Sequence, residues 1–377
     1  MIRYYDLGPD KQLNEIVMAG SHDAGITEGG SNVQTQTLDI AGQALAGVRL
    51  FDLRVAAEAA GKHGGVKQVE LKAFHADSKV MSNATKTRFV PELGRTEDVT
   101  RTKLRGGSFG LGLTGMLRQA RTFVETYDTE FLILKFDKCK NWSAIAEVCF
   151  SELGPVLYTG KGNLNTKTLR DLRKKVICLF TEAGLAEIPA QYKWGKGILG
   201  IRNLYSGGGY LPNYDGMQYY GKGGTSPFSP FKKISQNEKK QGKLLKGGAA
   251  GGNPEVMGMM YWTTTGLSES IQKRNDTMWS ARGVGKMETL WRAGLEESIN
   301  TRISKHIDPT SYASAPVLKA FLPNFIMIDF ADDMKCQQIY DLNAVAAVEL
   351  TYAARQVDAD VQKAQQQYGV LQAMGRV

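Results

Sequence analysis

Cysteine is scarce in this sequence, and its few residues are far apart. The four cysteines are Cys139, Cys149, Cys178 and Cys336. No two of them form a Cys-x-x-Cys pair, so the spacing predicts neither a zinc knuckle nor a disulfide framework. Histidine is equally sparse, with four residues among 377, and a histidine at the end of a predicted strand therefore carries information.

Long apolar runs are also lacking. No run reaches about 18 residues, the length a helix needs to span a bilayer, and the segment 1–9 has no apolar core of the signal-peptide type. We therefore expect no transmembrane segment. For localisation we expect secretion, or delivery to a target membrane as an effector by a route without a visible signal peptide, and otherwise a cytoplasmic protein.

Acidic residues are outnumbered, which gives a net charge of +9 and an isoelectric point near 9.2. This balance suits phosphate-bearing partners or peripheral contact with an anionic membrane surface. A dense motif of Lys, Arg and aromatic residues is missing, and this argues against a nucleic-acid partner. A chain of 41.4 kDa with 42% hydrophobic residues can bury a large core, so we expect one elaborated domain.

Apolar runs separated by longer amphipathic segments predict eight strands with crossover helices between them. The predicted strands are 15–20, 48–55, 69–76, 130–137, 175–180, 197–204, 256–265 and 323–330. The predicted helices are 33–46, 112–127, 143–153, 166–174 and 287–306. This alternation predicts an α/β fold, a distorted and incomplete TIM (β/α)₈ barrel.

Several segments depart from a regular barrel. The link 56–68 is too short for a helix, and 77–110 and 205–254 are predicted insertions, the first an irregular excursion over the carboxyl-terminal face. Within 205–254, a lysine-rich stretch beside aromatic residues fits either a bilayer-docking surface or a flexible insertion. We expect a catalytic domain over 1–334 and a helical extension over 335–377.

Polar side chains follow several of these strands. His22 and Asp23 follow the first strand, His75 ends the third and Asp329 ends the eighth. Alternation places Asp52 with Arg54 on one face of the second strand, and Lys135 with Asp137 on one face of the fourth. Because the carboxyl ends of barrel strands meet at one rim, we expect these groups to converge there.

Five segments together resemble a known family. They are Val17-Met-Ala-Gly-Ser-His-Asp-Ala-Gly25, Arg49-Leu-Phe-Asp-Leu-Arg54, Phe74-His75, Met260-Tyr-Trp-Thr-Thr-Thr265 and Pro323-Asn-Phe-Ile-Met-Ile-Asp329. This ordered set resembles the X domain of bacterial-type phosphatidylinositol-specific phospholipase C. The resemblance covers 15–80, returns at the fourth, seventh and eighth strands, and is absent between about 185 and 250.

The resemblance implies an enzyme that cleaves phosphatidylinositol, or its glycosylated or phosphorylated forms, to diacylglycerol and inositol 1,2-cyclic phosphate. His22 matches the family's general base and Asp329 the carboxylate that orients it. His75 matches the general acid, assisted by Asp23. General chemistry agrees, because in-line displacement at phosphorus needs a base and an acid on opposite sides of the phosphate, and imidazole serves both near neutral pH.

Arg54 matches the arginine that neutralises charge growing on the phosphate oxygens, a role suited to a planar, permanently charged group. Asp52 is expected to tune Arg54 or to contact the inositol. Candidates for substrate binding are Lys135, Arg202, Tyr205 and Tyr210. Of these, Arg202, Tyr205 and Tyr210 are chosen only by their position after the sixth predicted strand.

Metal dependence is the main alternative. Calcium-dependent relatives carry acids at the positions of Asp23, Asp52 and Asp137, but this chain has Arg54 where a further acid would stand. An arginine there repels a cation, so we expect no metal cofactor, with Ca²⁺ at these three carboxylates as the alternative. Two further functions stay open: a calcium-dependent phosphodiesterase acting on another phospholipid or a glycerophosphodiester, and a non-catalytic phosphoinositide-binding protein.

Overall fold

We describe the protein from a computed structural model. The described residues are 1–76, 78–193, 195–221, 223, 234–246, 255–264, 270–292, 323–344 and scattered positions between 362 and 374. The fold and the site are described for this part of the chain.

Eight parallel strands close into a barrel, as the sequence predicts. They are β1 (Met18–Ser21), β2 (Val48–Leu53), β8 (Phe131–Phe136), β9 (Lys175–Thr181), β10 (Ile198–Asn203), β11 (Gly216–Gly221), β12 (Met257–Trp262) and β13 (Phe325–Ile328). Their order around the barrel is β1-β13-β12-β11-β10-β9-β8-β2, and β2 pairs with β1 to close it. The predicted TIM-type fold class is therefore confirmed.

A second sheet, which we call the small sheet, occupies the chain between barrel strands β2 and β8. Its strands are β3 (Val55–His63), β4 (Val66–His75), β5 (Met81–Val90), β6 (Arg95–Leu104) and β7 (Ser108–Gly112). They lie in the order β3-β6-β5-β4-β7, with an additional pairing between β3 and β4. The link 56–68 and the excursion 77–110 are thus mainly strands, contrary to the prediction of irregular structure.

The predicted third barrel strand, 69–76, was wrong as a barrel element, because it belongs to β4 of the small sheet. It forms a hairpin with β3 through Gly64 and Gly65, whose φ angles are +53° and +83°. Two consecutive residues with positive φ make the turn type that matches the twist of a hairpin. The Gly-Gly pair was the signal for an antiparallel hairpin where a parallel crossover was predicted.

The missing barrel strand is β11, which lies inside the predicted insertion 205–254. Its sequence Gly-Met-Gln-Tyr-Tyr-Gly has one aliphatic-type side chain, so the apolar-run criterion missed it. The lysine-rich stretch that comes next is helical over Ile234–Lys246. Asn237 and Gln241 of this helix are buried and hydrogen-bond the backbone of Tyr261, so the helix packs on β12 as a crossover helix would.

The helices agree with the sequence more closely. They are α1 (Ile40–Ala46), α2 (Leu113–Thr126), α3 (Trp142–Leu153), α4 (Leu169–Leu172), α5 (Glu182–Glu187), α6 (Ile234–Lys246) and α7 (Ile271–Met278). Short 3₁₀ turns occupy Tyr4–Leu7, Leu13–Glu15, Ser78–Val80, Pro91–Leu93, Gly154–Val156, Leu164–Thr166, Ala190–Tyr192 and Leu204–Ser206.

Two predicted helices are described only in part. Residues 281–292 are helical, whereas the remainder of the predicted helix 287–306 lies outside the described residues. The C-terminal extension begins as a helix over 333–344, and most of 345–377 lies outside them as well. Within the described residues, no helix has the length and apolarity to cross a membrane. The domain limits 1–334 and 335–377 stay predictions.

A buried ion pair fastens the N-terminal segment to the barrel wall. Arg49 of β2 donates to Glu130 through Nε at 3.0 Å and a terminal nitrogen at 2.8 Å, and both side chains are almost fully buried. Arg49 also donates to the carbonyl of Ile2, and Glu130 accepts from the backbone N–H groups of Tyr4 and Tyr5. The pair therefore satisfies backbone groups that would otherwise be buried without partners.

Removing one partner of this pair should be costly. We expect Glu130→Ala to lower the free energy of unfolding by about 3–5 kcal/mol, because the Arg49 charge stays buried without a partner. Glu152→Ala is the control, since Glu152 pairs with Arg118, whose side chain is 68% exposed, and should cost at most about 1 kcal/mol. Urea unfolding measures both values, and equal losses would contradict this account of the barrel wall.

Candidate active site

The barrel register brings one set of side chains to the interior of its carboxyl-terminal rim. Paired residues of parallel strands point to the same side, and Asp52 pairs with Lys135 while Gly20 pairs with Met327. A Cβ on Gly20 would lie 2.3 Å from the Met327 sulfur. Glycine is therefore required where β1 passes over the packed interior, directly below the turn that carries the first histidine.

His22 stands on that turn and is held on both sides. Its Nδ1 lies 2.9 Å from Asp329 Oδ1, one residue beyond β13. Its backbone N–H donates to the Ile328 carbonyl, and the Gln36 amide donates to the carbonyls of His22 and Ile328. The ring is 8% exposed, and Nε2 is the nitrogen left for other contacts.

Asp23 is the hub of the site. Its carboxylate lies 2.7 Å from His75 Nδ1 and 3.4 Å from His22 Nε2, both through Oδ2, and Oδ1 lies 3.0 Å from Arg54 Nε. The contact with Arg54 is an ion pair without the alignment of a good hydrogen bond. Asp23 has a φ of +43°, a conformation uncommon for residues other than glycine.

The strained turn at Asp23 is fixed by its own carbonyl. Thr35 Oγ1 donates to the Asp23 carbonyl at 2.9 Å, and the N–H of Ile26 donates to it at 3.1 Å. Strained backbone of this kind persists only where surrounding contacts hold it. The turn aims a fully buried carboxylate at three cationic or titratable groups at once.

His75 enters the site from the small sheet. It ends β4, pairs with Ser108 of β7, and its side chain is 21% exposed. A Cβ on Gly107 would lie 2.0 Å from the His75 carbonyl oxygen, and Gly107 has a φ of +95°. Because His22 Nε2 and His75 Nδ1 contact the same oxygen of Asp23, these two nitrogens are no farther apart than those two contacts allow.

The carboxylates set the charge state of His22. Burial alone lowers the pKa of His22, but Asp23 and Asp329 outweigh burial and raise that pKa to about 9. Burial alone raises the pKa of Asp23, but Arg54, His22 and His75 hold it well below its usual range. For Asp329, burial raises the pKa more than His22 lowers it.

A second buried pair lies behind this set. Lys135 Nζ is 2.7 Å from Asp52 Oδ1 and 3.7 Å from Asp137 Oδ2. Burial lowers the pKa of Lys135, but Asp52 and nearby charges outweigh it and raise the pKa well above its usual value. Lys135 therefore stays charged and neutralises Asp52 within the barrel.

The donor set does not fit calcium. His22, Asp23 and Asp52 offer one atom each, all within 4.8 Å of one another, but Asp137 does not belong to this group. Asp23 already contacts Arg54 and His75, and Asp52 contacts Lys135. Calcium takes six to eight oxygen ligands, whereas these residues offer few free oxygens and two neighbouring cations.

Three predicted binding residues are not brought together with this site. Arg202 pairs with Gln218 in the sheet and contacts Glu182 of α5 at 2.9 Å, so it points to the outer helices. Tyr205 follows β10, is 40% exposed and packs on Tyr220.

Tyr210 hydrogen-bonds Asn163 and Glu255. Glu255 precedes β12, so Tyr210 lies at the opposite end of the barrel from His22. Position after a strand could not reveal that the chain from 204 to 215 returns to the other end without a helix.

Sequence reasoning missed two tyrosines and two polar supports. Tyr261 of β12 lies edge-on to His22, with ring centroids 6.3 Å apart. Burial raises the pKa of Tyr219 and of Tyr261, and each senses the charge of Lys135. Alternation on the seventh predicted strand could have found Tyr261, but Tyr219 lies on the strand that was not predicted. Gln36 and Thr35 carry no sequence signal.

Comparison with known proteins gives structural similarity without a family match. No family model matches the chain, and no curated protein matches it. A phosphatidylinositol-specific phospholipase C from Listeria monocytogenes is similar at 14% identity and a TM-score of 0.44, over 89% of this chain and 95% of that chain. The phosphatidylinositol-specific phospholipase C of S. aureus is similar at 14% identity and a TM-score of 0.49, with the same coverage. Residue roles therefore rest on the geometry of the site itself.

The charge state of His22 can be measured directly. We expect its ring to titrate with a pKa of about 9, and Asp329→Asn to lower this value because one of the two charges that raise it is removed. Histidine NMR titration measures both, and His63→Ala, which removes a ring stacked on Phe89 outside the site, helps to assign the resonances. A His22 pKa at or below about 6.5, its ordinary value, would contradict the assigned electrostatics.

The same shift predicts how stability depends on pH. The folded pKa of His22 lies above its unfolded value, so its contribution to stability is complete below about 6.5 and is lost as pH rises through about 9. Between these values the stability of the wild-type protein should fall more steeply with pH than that of His22→Ala. Parallel slopes in urea unfolding would contradict the prediction.

Proposed function

We propose that this protein is a phosphatidylinositol-specific phospholipase C that cleaves its lipid by internal transfer, giving diacylglycerol and inositol 1,2-cyclic phosphate. The observation that carries the proposal is a pair of imidazoles on one carboxylate beside an arginine. His22 and His75 each use Nδ1 to bind a carboxylate. Each ring therefore keeps Nε2 for proton transfer, so the two can serve as base and acid.

In the proposed reaction, the inositol 2-hydroxyl gives its proton to His22 Nε2 as its oxygen forms a bond to phosphorus. The bond between phosphorus and the diacylglycerol oxygen breaks, and that oxygen takes a proton from His75 Nε2. Asp329 holds the His22 ring in orientation, and Asp23 does the same for His75. Water then need not enter the first step.

Arg54 is the proposed phosphate-binding group. Its contact with Asp23 uses Nε, so the two terminal nitrogens are free of that carboxylate and can meet the non-bridging phosphate oxygens. Asp52 is held by Lys135, and we assign Lys135 to positioning this carboxylate near Arg54. Lys135 is 2% exposed, so we do not assign it a direct contact with lipid.

The raised pKa of His22 has a kinetic consequence. With a pKa of about 9, roughly 1% of the free protein carries neutral His22 at about pH 7. The base form is then the minor form, and kcat/KM should rise with pH until about 9. The same two carboxylates that raise the pKa also strengthen the base once it is neutral.

The choice of substrate follows from charge and from the proton-transfer groups. The net charge of +9 supports peripheral binding to an anionic bilayer that carries phosphatidylinositol or its glycosylated or phosphorylated forms. A protein that only bound phosphoinositides would have no use for two imidazoles with free Nε2 atoms. For this reason we favour catalysis over binding alone.

Single substitutions separate the base from the acid. We expect His22→Ala and His75→Ala each to lower kcat on phosphatidylinositol vesicles by roughly 10²–10⁴-fold, the usual contribution of general acid–base catalysis. A substrate with nitrophenol in place of diacylglycerol needs no proton on its leaving group. His75→Ala should therefore recover most of its activity on that substrate, whereas His22→Ala should not.

His63→Ala is the matched control, because His63 lies at the exposed tip of the β3–β4 hairpin. It should keep wild-type activity on both substrates. Full activity of His22→Ala on the natural lipid would sink the assigned mechanism. Equal recovery of both histidine variants on the nitrophenyl substrate would show that the two roles are not divided as proposed.

Metal independence is tested separately. Because the donor set does not fit calcium, we expect excess chelator to leave the initial rate unchanged and added Ca²⁺ not to raise it. Initial rates on the same vesicles after dialysis against chelator measure the effect. Activity lost on chelation and restored by Ca²⁺ would instead support a calcium-dependent phosphodiesterase at Asp23 and Asp52.

A further inference from the structure

Two arginines of the small sheet lack an anionic partner. Arg88 of β5 is 5% exposed, and Arg101 of β6 is partly buried. The Nε atom of each is buried without a hydrogen bond. Within the described part of the chain, neither guanidinium has an ion pair or hydrogen bond to another side chain. A buried charge without a partner is costly, which indicates that something is missing from this place.

The sheet register puts both arginines on one face. Arg101 pairs with Ala84 across the β5–β6 hairpin, and Arg88 lies four residues beyond Ala84 on the same strand. Arg101 also pairs with Ala57 of β3. The two side chains therefore share the face of the hairpin to which Ala57 of the neighbouring strand also belongs.

The nearest acid in register is engaged elsewhere. Glu97 lies directly opposite Arg88, but its carboxylate accepts from Arg95 at 2.9 Å. Arg95 in turn bonds Glu147 of α3 at 2.5 and 2.7 Å. This chain of contacts fastens the hairpin to α3 and leaves Arg88 without a counter-charge.

The strand beside the arginines leaves room for a ligand. Val55, Ala57 and Ala59 alternate onto the same face of β3. Ala57 is buried, whereas Ala59 is exposed. A face that is buried at one residue and open at the next gives solvent a way in, and the one-carbon side chains fill little of the space beside Arg101.

We propose that Arg88 and Arg101 form an anion site in the small sheet that takes a phosphate monoester. Guanidinium groups present planar, paired donors that match phosphate oxygens, and a dianion would neutralise both arginines. Ala57 lies three residues from Arg54, or about 10 Å along an extended strand. The ligand is thus either free phosphate or a phosphate carried on an inositol ring, near the proposed active site but separate from it.

Thermal unfolding of the full chain tests the site without any need for turnover. Inorganic phosphate and soluble inositol 1,4-bisphosphate are titrated against sodium chloride at matched ionic strength. We expect a saturable rise in the Tm of the wild-type protein with each phosphate compound and none with chloride. A half-maximal rise at a tenfold lower concentration of the bisphosphate identifies a headgroup site, whereas equal concentrations identify a site for phosphate itself.

Arginine variants locate the effect. Arg88→Met should raise the Tm in the absence of phosphate, because an unpaired buried charge is removed, and should abolish the rise with phosphate. Arg101→Met, at a more exposed position, should abolish the rise as well and serves if Arg88→Met does not fold. Arg118→Met, which removes an exposed arginine on α2, should keep the rise.

Arg54→Gln separates this site from the proposed active site. We expect the rise with phosphate to persist in that variant, even if the proposed phospholipase activity proves wrong. The proposal is overturned if the wild-type protein shows no rise. It is also overturned if the rise survives in Arg101→Met and disappears in Arg54→Gln, because phosphate would then bind only beside His22.

Discussion

The site depends on one carboxylate that four chain segments surround. Asp23 contacts His22, His75 and Arg54, and its own backbone is held by Thr35. A fully buried carboxylate is stable only with such partners, because burial without them would favour its neutral form. The same negative charge raises the pKa of His22 to about 9 and fixes the ring of His75. A single ionised group thus organises both proposed proton-transfer residues and the proposed phosphate-binding residue.

The two histidines come from different parts of the architecture. His22 belongs to the barrel rim, where β1 and β13 are neighbours and Asp329 is brought beside it from more than three hundred residues away. His75 arrives on β4 of the small sheet, which is inserted after β2. The site is complete only when the small sheet is seated on the barrel. Gly107 and its close approach to the His75 carbonyl show how tightly that junction is packed.

The sequence allowed the barrel, most of its strands and the central residues of the site to be predicted. Strand-end polarity sufficed for His22, Asp52 and Asp329, because parallel strands place their carboxyl ends at one rim. It failed for Tyr210, since nothing local indicates a return to the opposite end of the barrel. The β11 strand was hidden by its tyrosines and glycines, and β4 was mistaken for a barrel strand because apolar alternation is the same in both sheets.

The central claim is internal transfer by two imidazoles on one carboxylate, and the nature of the first product tests it most directly. Phosphorus NMR of phosphatidylinositol vesicles treated with the wild-type protein should show inositol 1,2-cyclic phosphate as the first water-soluble product. The account also predicts that a lipid lacking the inositol 2-hydroxyl is not cleaved. An acyclic phosphate as the first product, or cleavage of the lipid without that hydroxyl, would contradict it.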